Sequence, residues 1–290
     1  MVATAESNEA TLNFFWTIFG TVLVFWMHAG FSLLEAGSIR HKNVVSIMFK
    51  NILNVICSTV LWWMFGYAFA FGKDTTGGFI GGSGGAADSP YTVFNFYNGQ
   101  FTANDLSHWL FQWAFAATSL TIVSGGMAER AHTYGYLLLI FGFQLITYPA
   151  VAHWVWHPDG WLAARGFLDF AGSGVVHTVG GFASLVGCIL LGPRKGKLEA
   201  HNIPLVVLGT FILWMGWFGF NGASGAIAGN TMTVGITLIN TTISASIAGI
   251  TTVFIMKMLS GKYSAGIEKL RVGKSSKIIE KRKKFNICHL

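Results

Sequence analysis

A few side chains able to hydrogen-bond or titrate sit inside long apolar runs of this sequence, where such a group costs several kcal/mol unless it faces a cavity or a partner. His28 and Glu35 interrupt FWMHAGFSLLEAG. A hydrogen bond to a neighbouring helix accounts for Glu35, and packing or an internal hydrogen bond for His28. In LFQWAFAATSLTIVSGGMAER, Phe111 and Phe115 share one helical face with Gln112 beside them, an arrangement that suits either a site or a plain apolar contact. Glu129 and Arg130 close that run as a charge pair.

The densest constellation is HPDGWLAARGFLDFAGSGVVHTVGG. If a helix begins near Asp169, the carboxylate can accept its first backbone N–H groups, stay ionised and fix local geometry. His177 follows eight residues later, about two turns or 12 Å further along. A neutral imidazole there can pass hydrogen bonds or a proton along a narrow path, or can simply bond to a neighbouring backbone. In WMGWFGFNGASGA, Phe220 and Ser224 lie one turn apart on one face, among small residues that let helices approach closely. No nucleophile stands beside a base, and no cluster has metal-ligand spacing, so neither an enzyme nor a bound cofactor is expected. Cys57, Cys188 and Cys288 have no paired spacing, and the first two read as small buried hydrophobes.

These residues need a bilayer around them. Of the 290 residues 11% are charged and 52% hydrophobic, with a mean hydropathy of +0.53. A water-soluble surface needs about a quarter charged, so lipid must solvate much of the outside. Runs long enough to span fall at 11–36, 44–72, 109–128, 135–153, 174–192, 203–222 and 231–257, separated by a Gly-rich loop over 73–108. The expected fold class is an all-α, polytopic transmembrane bundle of about seven spans, with residues 1–260 as the membrane domain and 261–290 as a basic cytoplasmic tail touching anionic lipid. Seventeen Lys and Arg follow odd-numbered helices, against Lys73 and Arg165 alone after even-numbered ones. That asymmetry puts the odd exits in the cytoplasm and the N-terminus outside. The net charge of +7 therefore reports topology rather than nucleic-acid binding.

Several blocks, read together, resemble the ammonium transporter family (Amt/MEP/Rh) on its Amt side: GFSLLEAGSIRHKN, FQWAFAATSLTIVSGGMAER, PAVAHWVW, WFGFNGAS and, most specific, DFAGSGVVHTVGGFASLVGCILLGPR. The resemblance implies a homotrimer in the plasma membrane, each subunit an inverted repeat of eleven helices with its own pore for ammonium or ammonia. Carried over by position, Phe115, Trp156 and Ser224 match the external ammonium-recruitment site, and Asp169 the acidic residue supporting it. Phe115 and Phe220 match the stacked phenylalanine gate, with Phe111 one turn away, and His177 the first of two pore histidines. The second histidine and the last helices have no counterpart in these residues, so the resemblance implies a chain cut short after the seventh helix. That leaves a non-conducting subunit or an ammonium sensor as the alternative to a transporter.

Overall fold

A computed structural model describes residues 5–82, 102–196, 200–227 and 231–260. The expected basic tail and most of the Gly-rich loop lie outside the described residues. The described part is helical, with one isolated bridge between Asp74 and Gly81.

Seven rods form among these residues: α1 (Ala5–Ser38), α2 (44–71), α3 (Ala103–Met127), α4 (133–156), α5 (Ser173–Leu191), α6 (Ile203–Ile227) and α7 (Thr231–Ser260). The seven apolar runs are thus recovered as seven rods, and six of them are apolar and long enough to cross a bilayer. The exception is α3, whose Ser, Thr and Gln residues lower its hydropathy because it faces protein rather than lipid. Phe111, Phe115, Leu120, Val123 and also Thr118, Ser119 and Thr121 are buried along it. It starts six residues before the expected position 109, so the loop is shorter than 73–108. Thr102 and Asp105 form a capping box that pulls the polar stretch into the helix. At the other extreme, α7 presents Ile236, Ile243, Ile247 and Ile250 to its surroundings, each at least half exposed, as a lipid-facing rod does.

The closest seam runs between α1 and α6, where glycine faces glycine. A Cβ added at Gly219 would stand 2.5 Å from Leu23 Cβ and 2.8 Å from the Gly20 carbonyl oxygen. One added at Gly209 would stand 2.6 Å from the Gly30 carbonyl oxygen. With lipid outside, close backbone approach supplies the attraction that water supplies in a soluble core. α3 then packs across α1 on one side and against α5 on the other.

Buried polar bonds tie the first three rods together. Glu35 on α1 accepts the Asn51 amide N–H at 2.8 Å and the Ser124 hydroxyl at 2.5 Å. The expected interhelical bond is therefore formed, to two helices at once. His28 donates from Nδ1 to the Phe25 carbonyl at 3.0 Å, an internal bond as expected. At one end of the bundle Glu129, with φ of 66°, turns its carboxylate back over the helix ends. It accepts Arg40 Nε–H at 2.8 Å and Asn43 Nδ2–H at 2.7 Å, with Arg194 Nε 3.7 Å away. What looked like a simple pair with Arg130 is a clasp between three segments. Arg130 instead donates to the Gly192 and Gly126 carbonyls. Arg40, Arg130, Arg194 and Lys195 thus share one end, while the Lys73 and Arg165 segments meet at the other through Trp161 and Gly78. The chain folds with the charge asymmetry its sequence displays.

Two outcomes are expected for the purified protein. Gly219→Val should force α1 and α6 apart and cost about 1–3 kcal/mol, read as a lower unfolding temperature in detergent. Burial pushes the Glu129 carboxyl up, but the Arg40 and Asn43 hydrogen bonds outweigh it and hold the carboxyl below its ordinary range. A depressed carboxylate stabilises the fold above its unfolded value and loses that effect as pH falls through the folded one. The clasp should therefore be complete at neutral pH and fail in acid below the ordinary carboxylate range, and Glu129→Gln should remove this acid step from the unfolding profile.

Candidate functional site

The site begins with a turn that is not yet helix. Residues 169–172 precede α5, and Gly172 takes the left-handed conformation at φ 90°. The first turn of α5, Ser173–Thr178, is a wide π turn in which the His177 N–H reaches the Gly172 carbonyl. Helical rise therefore counts from Ser173, and His177 lies one turn in, about 6 Å, rather than the two turns expected from Asp169.

Asp169 organises this entry. Its Oδ1 accepts the N–H groups of Gly172 at 2.8 Å and Ser173 at 2.9 Å. Its Oδ2 accepts those of Gly174 and Val175, both at 2.8 Å. Four orphan donors at a helix start are thus met by one carboxylate, with the helix dipole favouring its charge. The expectation that Asp169 caps the helix holds, and its oxygens are occupied by backbone. The Asp169 main-chain carbonyl accepts Trp156 Nε1–H at 2.8 Å, which fixes the indole at the end of α4.

From that indole a line of rings runs inward. Trp156 and Phe115 have centroids 6.0 Å apart, tilted by 47°. Phe115 and Phe220 stack almost parallel, 4.0 Å apart and 11° from coplanar. Phe111 tilts against Phe115 at 4.4 Å, so it buttresses the stack rather than forming its second face. Phe220 then meets His177 at 5.3 Å, and Trp217 lies 6.2 Å from the same imidazole. Phe111, Phe115 and Phe220 are each at most 1% exposed, so the stack closes the line to solvent. Ser224, buried one turn from Phe220, donates its hydroxyl hydrogen to the Phe220 carbonyl at 2.9 Å. Its oxygen lone pairs are left as acceptors.

All seven singled-out residues therefore belong to one assembly, contributed by α3, the end of α4, the start of α5 and α6. Sequence reasoning left out Ser119, whose hydroxyl donates to the Val176 carbonyl at 2.9 Å and anchors the π turn to α3. Its only signal is a serine in an apolar helix. Chemically, the assembly offers aromatic faces, a closed ring stack and then an imidazole beside aromatic rings, with a hydroxyl oxygen one helical turn from Phe220. It suits a small cation that can also travel as a neutral molecule.

Comparison with known proteins gives a family for the chain. The Ammonium Transporter Family model matches residues 15–267. The chain is 40% identical over 283 residues to ammonium transporter 1 member 3 of Solanum lycopersicum, covering 88% of this chain and 59% of that one. Among solved structures it resembles a protein titled Sensor Amt Protein with a TM-score of 0.80 at 32% identity, covering 90% of this chain and 66% of that one. It also resembles Mep2 of Saccharomyces cerevisiae with a TM-score of 0.75 at 30% identity, covering 86% and 57%. The chain spans about three-fifths of the length of these relatives.

Replacing Asp169 by Asn keeps the volume but removes one acceptor oxygen and the charge, setting an NH2 group against backbone N–H donors. We expect a loss of about 2–3 kcal/mol, seen as a fall of roughly 5–10 °C in unfolding temperature. Asp169→Glu, too long for the same turn, should not restore it.

Proposed function

Because this chain belongs to the ammonium transporter family, we propose that it carries the recruitment site, the gate and the first pore histidine of an ammonium pathway through the membrane. The observation that carries this reading is the continuous line Trp156, Phe115, Phe220, His177, with the Ser224 oxygen beside it.

Ammonium and potassium are close in size, so selection needs chemistry. Ammonium donates N–H bonds and can release a proton; potassium can do neither. The aromatic faces of Phe115 and Trp156 attract the cation, each such contact being worth about 0.5–2 kcal/mol. The Ser224 oxygen accepts one N–H. Beyond this point an ion would enter an apolar passage at a cost of several kcal/mol, whereas ammonia crosses cheaply. Deprotonation leaves ammonia and a proton. Ammonia passes when the Phe115 and Phe220 rings swing aside, and we assign the proton to the route lined by His177. Asp169 acts through position, because backbone donors occupy both of its oxygens. The working unit in this reading is a homotrimer in the plasma membrane with one pathway per subunit.

A second reading is favoured by the similarity to the protein titled Sensor Amt Protein: the same recruitment site would report external ammonium without net flux. Uptake of labelled methylammonium in a transporter-deficient cell separates the two. Transport requires uptake by this chain that falls about 3- to 30-fold in Phe115→Ala and is lost in His177→Ala. Ammonium binding by the purified protein without uptake, weakened in Phe115→Ala, supports the sensor. Neither uptake nor binding would overturn both.

A further inference from the structure

α2 and α4 each contain one π turn, Trp62–Gly66 and Phe143–Thr147, and the two turns touch near the middle of the bundle. Such turns are rare and gather at functional sites, yet neither of these supplies a ring to the line described above. Polar side chains from three helices are buried around them. Ser58 and Trp62 stand one turn apart on α2, Gln144 and Tyr148 one turn apart on α4, and Gln112 and Ala116 one turn apart on α3. Gln144 Nε2–H donates to the Ser58 hydroxyl oxygen at 2.8 Å and to the Ala116 carbonyl at 2.9 Å, so one amide joins α4 to both other helices. One turn further along, the Trp62 indole meets the Tyr148 ring edge-on, centroids 6.0 Å apart. A Cβ at Gly66 would stand 2.6 Å from Trp62 Cε3, so glycine there lets the indole lie against its own π turn.

Four polar atoms on these side chains are buried and bond to nothing among the described residues: Trp62 Nε1, Gln112 Oε1, Gln144 Oε1 and Tyr148 Oη. Trp62, Gln144 and Tyr148 are wholly buried, and Gln112 is 6% exposed. The Ala116 carbonyl only accepts, so it holds the nitrogen of the Gln144 amide on its side and leaves the oxygen as the unmet atom. Unmet polar atoms are costly in such an interior, and the surrounding lipid offers them no partner. Their chemistry selects what can meet them. The indole N–H only donates, both amide oxygens only accept, and the phenol does either. Ammonium and potassium have no lone pair for the indole N–H, and an anion has no hydrogen for the amide oxygens. A water molecule has two donors and two acceptors, and buried water bonds to two to four protein groups.

We propose that Trp62, Gln112, Gln144 and Tyr148 bind an ordered water molecule between α2, α3 and α4, in a closed and neutral site apart from the line Trp156, Phe115, Phe220, His177. The water accepts from the Trp62 N–H and the Tyr148 O–H and donates to the Gln112 and Gln144 oxygens. It completes the tie that the Gln144 nitrogen begins between the three helices, at the level where both π turns interrupt the regular helical ladder. Because an obligate donor faces it, the site takes a neutral molecule and leaves the cation to the ring line.

Magnetisation transfer from water to the indole N–H groups of the purified full chain, labelled with nitrogen-15 at tryptophan, tests the site. The Trp62 signal, identified by its loss in Trp62→Phe, should carry a cross-peak at the water frequency. That cross-peak should persist in Tyr148→Phe, which removes the neighbouring hydroxyl as a relay. It should be lost when Gln112→Leu and Gln144→Leu are combined, since the water then has no acceptor to hold it. Tyr148→Phe should also lower the unfolding temperature by about 2–4 °C, because a bonded hydroxyl is removed, whereas removing an unmet one would leave the temperature unchanged or raise it. A wild-type Trp62 indole without the cross-peak overturns the site, as does a Tyr148→Phe chain as stable as the wild type. Ammonium chloride should leave the cross-peak as potassium chloride does, and its selective loss in ammonium chloride makes ammonia the occupant and overturns water. If the combined variant does not fold, the wild-type and Tyr148→Phe measurements decide.

Discussion

Asp169 joins the end of α4 to the start of α5 through its side chain and its main chain together. Its side chain gathers four N–H groups at the mouth of α5, and its main-chain carbonyl holds the Trp156 indole at the end of α4. A helix start inside a membrane protein has no water to satisfy its first donors, so something must replace water there. Supplying them from one residue fixes the backbone of the entrance with four hydrogen bonds. It also permits the wide first turn that brings His177 against Phe220.

The rest of the bundle keeps those helices in register. Glycine against glycine between α1 and α6 sets the distance at which Phe220 meets Phe115, since α3 packs across α1 and both rings stand at that junction. Glu129 secures the far end, where the strands of chain between helices would otherwise splay. Polar groups in lipid are worth on average only about 0.6 kcal/mol per interhelical bond.

The polar residues in the helices fall into two groups by what their atoms face. Glu35, Asn51 and Ser124 bond to one another across α1, α2 and α3, and Ser119 anchors the π turn to α3. Ser224 bonds only within its own helix, to the Phe220 carbonyl, and His177 stands beside the Phe220 and Trp217 rings. His153 belongs to neither group, with one nitrogen committed to structure and the other facing a carboxylate.

The all-helical class, the seven rods and the split of basic residues between the two ends were legible in the sequence. They follow from local quantities: about twenty apolar residues per span and the charge of each connection. The seven candidate residues were picked out because their blocks resemble a known family, and Asp169 was legible as a cap because its position before FAGSG is local. Tertiary structure alone decided the rest. The early start of α3 came from the Thr102 and Asp105 capping box, and the shallower His177 from the π turn; both depend on hydrogen-bond partners that apolar runs do not encode. That Phe111 supports the stack while Phe115 and Phe220 form it, that Glu129 pairs with Arg40 and not its neighbour, and that His153 meets Asp74 are contacts between residues far apart in the chain. Such pairs are set by how helices cross, and no periodicity in one segment carries that information.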